Sequence, residues 1–220
     1  MMKVPELADL PFAPALTRHD GDLEAAVDYD TVLFDGLEFA DPRLPNARFL
    51  DCAFRRVSIT DGRLSRASLR DVWLRDVRLT GTFLAESSWQ DVTVAGSSLA
   101  GVQLYGAELR RVLFSGCKLD SVNLRGARLA DVTFDRCVLR DVDFGGATLS
   151  GCAFPGTELT RVDLSKVTMQ RTDLRGASLG LVIDADSLRG AIISSAQLAI
   201  VAPVLAETLG IVVDDGPPVS

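Results

Sequence analysis

Three residue types in this chain are equipped for chemistry, and their spacing decides what that chemistry is. Asp51, Asp71, Asp91 and Asp131 stand apart by multiples of 20, and Asp41, Asp61 and Asp141 keep the same interval. Carboxylates repeated at one structural step would form a ladder able to hold cations. Four cysteines, Cys52, Cys117, Cys137 and Cys152, could ligate a soft metal or pair as disulfides. Neither set converges. The cysteines contain no CxxC pair, and the single histidine, His19, is remote from all four, which does not suit a zinc centre. The aspartates are interleaved with Arg48, Arg70 and Arg128, and they read as turn carboxylates on a solvated face. Cys117 and Cys137 would stack one step apart at a spacing that admits a disulfide. Cysteine in a small buried slot behaves as a small hydrophobe, and free thiols are the expectation. No catalytic residue, metal or cofactor is expected.

What sets the interval of 20 is a repeat of five. From Phe34 to Leu179 every fifth residue is apolar, with no insertion, across thirty pentapeptides. Two places earlier sits a mostly small residue: Ala47, Val57, Gly62, Ala67, Val72 and all four cysteines, with Leu37 and Pro42 as exceptions. A helix repeats near 3.6 residues and a strand near 2, so neither alone explains the pattern. A chain that turns a corner every five residues does. The large residue points to the axis, the small one faces inward at the corner, and three face water. Phe34, Phe54, Phe114, Phe134 and Phe154 share the 20-residue interval, so the coil is four-sided and its phenylalanines stack along one wall. Successive coils would lie about 4.8 Å apart and pair their backbones.

LRGARLADVTF (124–134) and TDLRGASL (172–179) resemble the pentapeptide-repeat family, whose consensus is roughly A(D/N)LXX. The resemblance covers about residues 32–180. It implies an all-β solenoid, a right-handed quadrilateral β-helix of about 7–8 four-sided coils. It also implies two functional possibilities. One is a non-catalytic interaction scaffold; the other is a DNA-mimicking, DNA gyrase-binding protein giving quinolone tolerance. Gyrase-targeting members join through C-terminal elements, which allows a C-terminal homodimer here.

The ends fall outside the beat. Residues 1–31 are expected to cover the N-terminal coil end, with PELADLPFAP extended and GDLEAAVDYD a short helix or degenerate coil. After Leu179 an apolar place is taken by Asp184; Ile183, Leu188, Ile193 and Leu198 continue on a shifted frame. Residues 181–213 are read as an irregular last coil and helical cap, and 214–220 as a loose tail. Ser194 or Ser195 would cap the helix and Gly210 end it, with Pro203 dividing it into two pieces. Leu198, Val201, Leu205 and Leu209 form a stripe suited to plugging the coil. Ile200 and Val204 lie on other sides and are candidates for a dimer seam. IVVDDGPPVS reads as a short strand running into that tail.

Charge bears on the choice between the two functions. The chain carries a formal net charge of −7, but residues 31–180 hold eighteen acids against twenty basic residues, a net of +2. DNA as long as the rod, roughly 36 Å, carries roughly 20 negative charges. The scaffold reading is therefore preferred, with gyrase as the alternative partner. No basic stripe interleaved with aromatics points to direct nucleic-acid binding. No apolar run approaches the roughly 18 residues that span a bilayer, and the N-terminus lacks a secretory signal, so a cytoplasmic protein is expected. Leu33, Ala53, Trp73, Thr93, Leu113, Thr133 and Ala153 form an outward column beside the phenylalanines. Its large members, Leu33, Trp73 and Leu113, are candidates for a partner interface or for cover by residues 1–30.

Overall fold

The computed structural model describes residues 4–25, 27–182, 186–214 and 216. Its coil is built from corners. Every fifth residue from Thr31 to Gly176 has a left-handed backbone, with φ between +47° at Asp41 and +81° at Gly176. Glycine, aspartate and asparagine tolerate this region best, which is why the Asp51, Asp71, Asp91 and Asp131 column exists. Corner amides from Thr31 to Gly151 donate across to the next coil, as from Asp41 to the Thr60 carbonyl and from Asp61 to the Thr80 carbonyl. Along that span the turn costs strain but keeps its backbone donor paired.

Between corners run mostly three-residue strands, all parallel and, except at the two ends, offset by 20 residues: Phe114 pairs with Phe134, Leu119 with Leu139, Leu129 with Leu149. They assemble into three walls. A seven-stranded sheet runs from Thr17–His19 to Thr133–Asp135, an eight-stranded one from Glu38–Ala40 to Ser178–Val182, and another from Asp28–Asp30 to Thr168–Gln170. The fourth wall is a column of single bridges, Arg43 to Arg63 and on to Asp163. The result is a four-sided β-solenoid of about eight coils with one C-terminal helix.

The interior is one continuous apolar core from Tyr29 to Ala177. Each buried Leu or Phe contributes roughly 1.5–3 kcal/mol before chain entropy is charged against it. The rings of Phe114 and Phe134 stack at 4.9 Å and those of Phe134 and Phe154 at 5.0 Å. A second short stack joins Phe34 and Phe54 at 4.5 Å. Leu74 and Val94 interrupt the column between them. The beat starts one step earlier than Phe34, because Tyr29 fills the core place of the first strand.

The ends depart from several expectations. PELADLPFAP is not extended; it holds two 3-10 turns, Leu7–Asp9 and Ala13–Ala15. Of the two expectations for GDLEAAVDYD, its described residues show no helix, and Asp28–Asp30 is the first rung of a wall. Beyond Leu179, Ser178–Val182 pairs with Glu158–Asp163 through a register shift, and Ala191–Ile192 rejoins the phenylalanine wall. Ile183, Asp184 and residues 217–220 lie outside the described residues. Pro203 does not divide the cap: a single helix, α1, spans Ser195–Thr208. Ser194 caps it in a reciprocal box with Gln197. It ends in a Schellman turn, with Ile211 N–H on the Ala206 carbonyl and Gly210 N–H on Glu207. Residues 211–213 form no strand.

Candidate docking surfaces

A filled coil leaves its outside to do the work. On the phenylalanine wall, the small residues at position 53 and the wide indole at 73 leave an apolar ledge. Residues 5–16 lie along it as a strap. Leu10 is buried with Ala53 and Trp73, and Leu7, Phe12, Ala13, Leu16 and Leu33 pack around them. The Trp73 indole donates to the Pro5 carbonyl at 3.0 Å, and Arg75 pairs with Glu6. Trp73 is only 2% exposed, so it is occupied by its own chain and offers no free surface; Leu33 is half-buried in the same cluster. Leu113, farther along the column, is half-buried without the strap. Past the strap, Thr17–His19 adds a rung before the first coil. There the His19 ring lies 5.0 Å from Phe34 and 5.7 Å from Tyr29, over the end of the stack. The strap's apolar spacing is weakly visible in Leu7, Leu10 and Phe12, and cover of Trp73 by residues 1–30 is one of the two expectations for this column.

The corners carry much of the charge, and some of it is matched one coil on. Arg111 grips Asp91, Arg161 grips Asp141, and Arg128 reaches Glu108. Asp35 is buried and held by Arg55 and Arg56, and its hydrogen bond to Arg55 keeps its carboxyl far below the usual carboxylate range. Asp71 behaves oppositely: partial burial first, then the charges of Asp91 and Asp51, push it up. Among the described residues no three His, Cys, Asp or Glu side chains converge as a metal centre.

The thiols sit in the small inward slot. Cys52, Cys117, Cys137 and Cys152 are buried and unbridged, and each donates to the carbonyl 23 residues earlier: Tyr29, Val94, Phe114 and Leu129. Thr82, Thr157 and Thr172 make the same bond from the same slot. Burial pushes the Cys52 and Cys152 thiols up to about 11. The slot accepts small side chains with one weak donor, which explains why cysteines gather there without chemistry.

The helix closes the opposite end, but through only part of the expected stripe: Val201 is buried and Leu205 half-buried, whereas Leu198 and Leu209 are exposed. Gln197 and Val201 are its buried residues. Gln197 donates to the Leu174 and Ala177 carbonyls at 2.6 and 2.8 Å, satisfying the open edge of the last coil. Leu198 and Leu209 instead face outward, because the face that meets the coil is set by Gln197 and its i+4 neighbour. Exposed on other sides are Ile200 at 62%, Val204 at 41% and, past the helix, Val212 at 87%. A groove of about 560 Å³ between Ala199, Ala202, Pro203 and Ile211 runs alongside. Among the described residues no helix is long and apolar enough to cross a membrane.

Comparison with known proteins bears on the fold. Residues 87–164 match the family model described as pentapeptide repeat region. No curated protein matches. Among solved structures the chain is similar to QnrB1, a plasmid-mediated fluoroquinolone resistance protein, at 22% identity and a TM-score of 0.44 over 90% of this chain and 96% of that one. It is also similar to a pentapeptide repeat protein from the Arabidopsis thaliana thylakoid lumen, at 18% identity and a TM-score of 0.41, over 52% of this chain and 85% of that one. HetL, a pentapeptide repeat protein involved in heterocyst differentiation regulation from the cyanobacterium Nostoc, is 20% identical with a TM-score of 0.24, over 78% of this chain and 91% of that one. The matched segment shares its five-residue beat and its left-handed corners with the coils on either side of it. Residues 87–164 are thus a pentapeptide repeat region, and the rest of the coil keeps the same beat.

Proposed function

We propose that the protein is a non-catalytic protein-interaction scaffold that joins a second copy of itself through the C-terminal helix. The observation that carries this reading is that α1 stays apolar on the sides the coil leaves uncovered: Leu198 and Leu209 are exposed on one, Ile200 and Val204 on another, with Ile211 and Val212 exposed just beyond. Exposed apolar area on this scale marks an interface. A closing helix needs only the face that meets the coil, and Gln197 and Val201 already supply it. Support for a non-catalytic role comes from the packed interior and from thiols held in their protonated form. Sedimentation of the full chain at micromolar concentration tests the contact. A dimer that becomes a monomer in the Ile200→Glu, Val204→Glu double variant is expected. Equal, monomeric mass for both proteins overturns it.

DNA mimicry directed at gyrase is the weaker reading. The arginine grips on Asp91, Asp141 and Glu108 offset part of the charge that a mimic would present. Strong, salt-sensitive inhibition of purified gyrase in a supercoiling assay would reverse this ranking.

A further inference from the structure

The core is not filled evenly along the rod. From residue 39 to residue 154 every coil of four core places holds at least one aromatic ring, with a single exception. Phe39, Phe49 and Phe54 serve the first of these coils, and Trp89, Phe114, Phe134 and the pair Phe144 and Phe154 serve later ones. Between Phe54 and Trp89 stands a coil of Ile59, Leu64, Leu69 and Leu74 alone. It falls where Leu74 interrupts the phenylalanine column, so Phe54 meets the Phe34 ring on one side and an aliphatic chain on the other.

Branched aliphatic chains reach less far toward the axis than rings do, and they leave a cavity of about 30 Å³. Phe49 and Phe54 bound it on one side and Trp89 on the other, with leucines around the girth. Burial shows the same gap independently. Leu64, Leu69, Leu74 and Leu79 keep 4–6% of their surface open, whereas Leu99, Leu109, Leu119 and Leu129 farther along the rod keep 1%.

Lining and size select the occupant. The one side-chain oxygen in the lining, Thr82 Oγ1, is engaged by the Ile59 carbonyl at 3.2 Å and the Thr80 carbonyl at 3.4 Å. Trp89 Nε1 donates to Ser87 Oγ. A water needs two to four polar partners, so this lining rejects it although the volume exceeds the roughly 10–15 Å³ a water requires. Benzene fits an apolar cavity of about 150 Å³, far larger than this one, so a ring is excluded as well. We infer that the cavity is a binding site for a single apolar gas atom or diatomic molecule, held by dispersion contacts with the leucine methyls. The inference concerns the inside of the coil and stands apart from any docking role of its outside.

Xenon is the probe. The full chain, with its leucine methyls labelled, is followed by NMR under rising xenon pressure. Saturating shifts are expected at Leu64, Leu69, Leu74 and Leu79 and not at Leu119 or Leu129. Since the gas binds the folded state alone, the melting temperature should climb with pressure. Leu74→Phe puts a ring into the same space; it should abolish the saturating shifts and melt about 2–4 °C above the parent. Leu129→Phe, in a coil that already holds Phe134, should melt below the parent through overpacking. Leu74→Ala widens the cavity, and it should melt lower yet bind xenon several-fold more tightly. Shifts that grow linearly with pressure and spread along the rod overturn the proposal. So do saturating shifts that persist in Leu74→Phe, a loss of melting temperature in Leu74→Phe as large as in Leu129→Phe, or xenon binding by Leu74→Ala no tighter than by the parent.

Discussion

The Trp73 indole nitrogen donates to the Pro5 carbonyl 68 residues earlier in the chain, across 3.0 Å. This one bond fixes where the strap crosses the phenylalanine wall, and it makes Trp73 a reporter of the strap.

Deleting residues 1–16 should therefore shift tryptophan emission to the red and raise its quenching by acrylamide. Trp89, buried in the core, supplies an unmoved background. Loss of the Leu10 and Phe12 contacts should lower stability on the order of 3 kcal/mol in urea unfolding. Unchanged emission would mean that the strap does not cover the wall in solution.

Corner strain predicts opposite effects from two substitutions at one exposed site. Ser121 has φ +55°. Ser121→Gly relieves the left-handed penalty and should stabilise by up to about 1 kcal/mol, whereas Ser121→Val should destabilise by roughly 1–2 kcal/mol. Denaturant midpoints of the two variants falling on the same side of the parent would contradict this account of the corners.

Phe134 is stacked on both faces, by Phe114 and Phe154. Phe134→Ala should cost about 3–5 kcal/mol, and Phe134→Leu, which refills most of the volume, clearly less. Because each coil touches mainly its neighbours, hydrogen exchange should quicken around residues 114–154 before it does at either end. Uniform quickening along the rod would show cooperativity of longer reach.

The raised thiols give stability a high-pH edge. Cys52 and Cys152 titrate near 11 when folded, above the ordinary value of 9.0. Their contribution is thus complete below about pH 9 and is lost as the pH rises toward 11. At pH 8 the native protein should leave Ellman's reagent unreacted, and all four thiols should react once it is unfolded. Prompt reaction of the native protein would place a thiol at the surface.

The coil was legible because one side chain per wall must fill the axis, and thirty repetitions print that demand plainly. The cysteine slots followed from the same rule. Tyr29 escaped because aspartates flank it and the preceding positions break the beat. The continuous helix escaped because Pro203 is a poor local guide once a box at Ser194 and a Schellman turn at Gly210 hold both ends. Gln197 escaped for a further reason. Its bonds go to Leu174 and Ala177, carbonyls left open only by where the coil stops. The strap contacts, likewise, join residues about 68 positions apart and carry no periodicity.

The offset of 20 residues between paired strands gives the molecule a screw thread. Removing residues 101–120 would bring Ser121 to follow Ala100 at the same corner, with Leu99 beside Leu139 in place of Leu119. Whole turns can be gained or lost with the thread still matching, while a single inserted residue strips it from that point onward. Length, in steps of one turn, is the dimension in which such a protein is free to evolve.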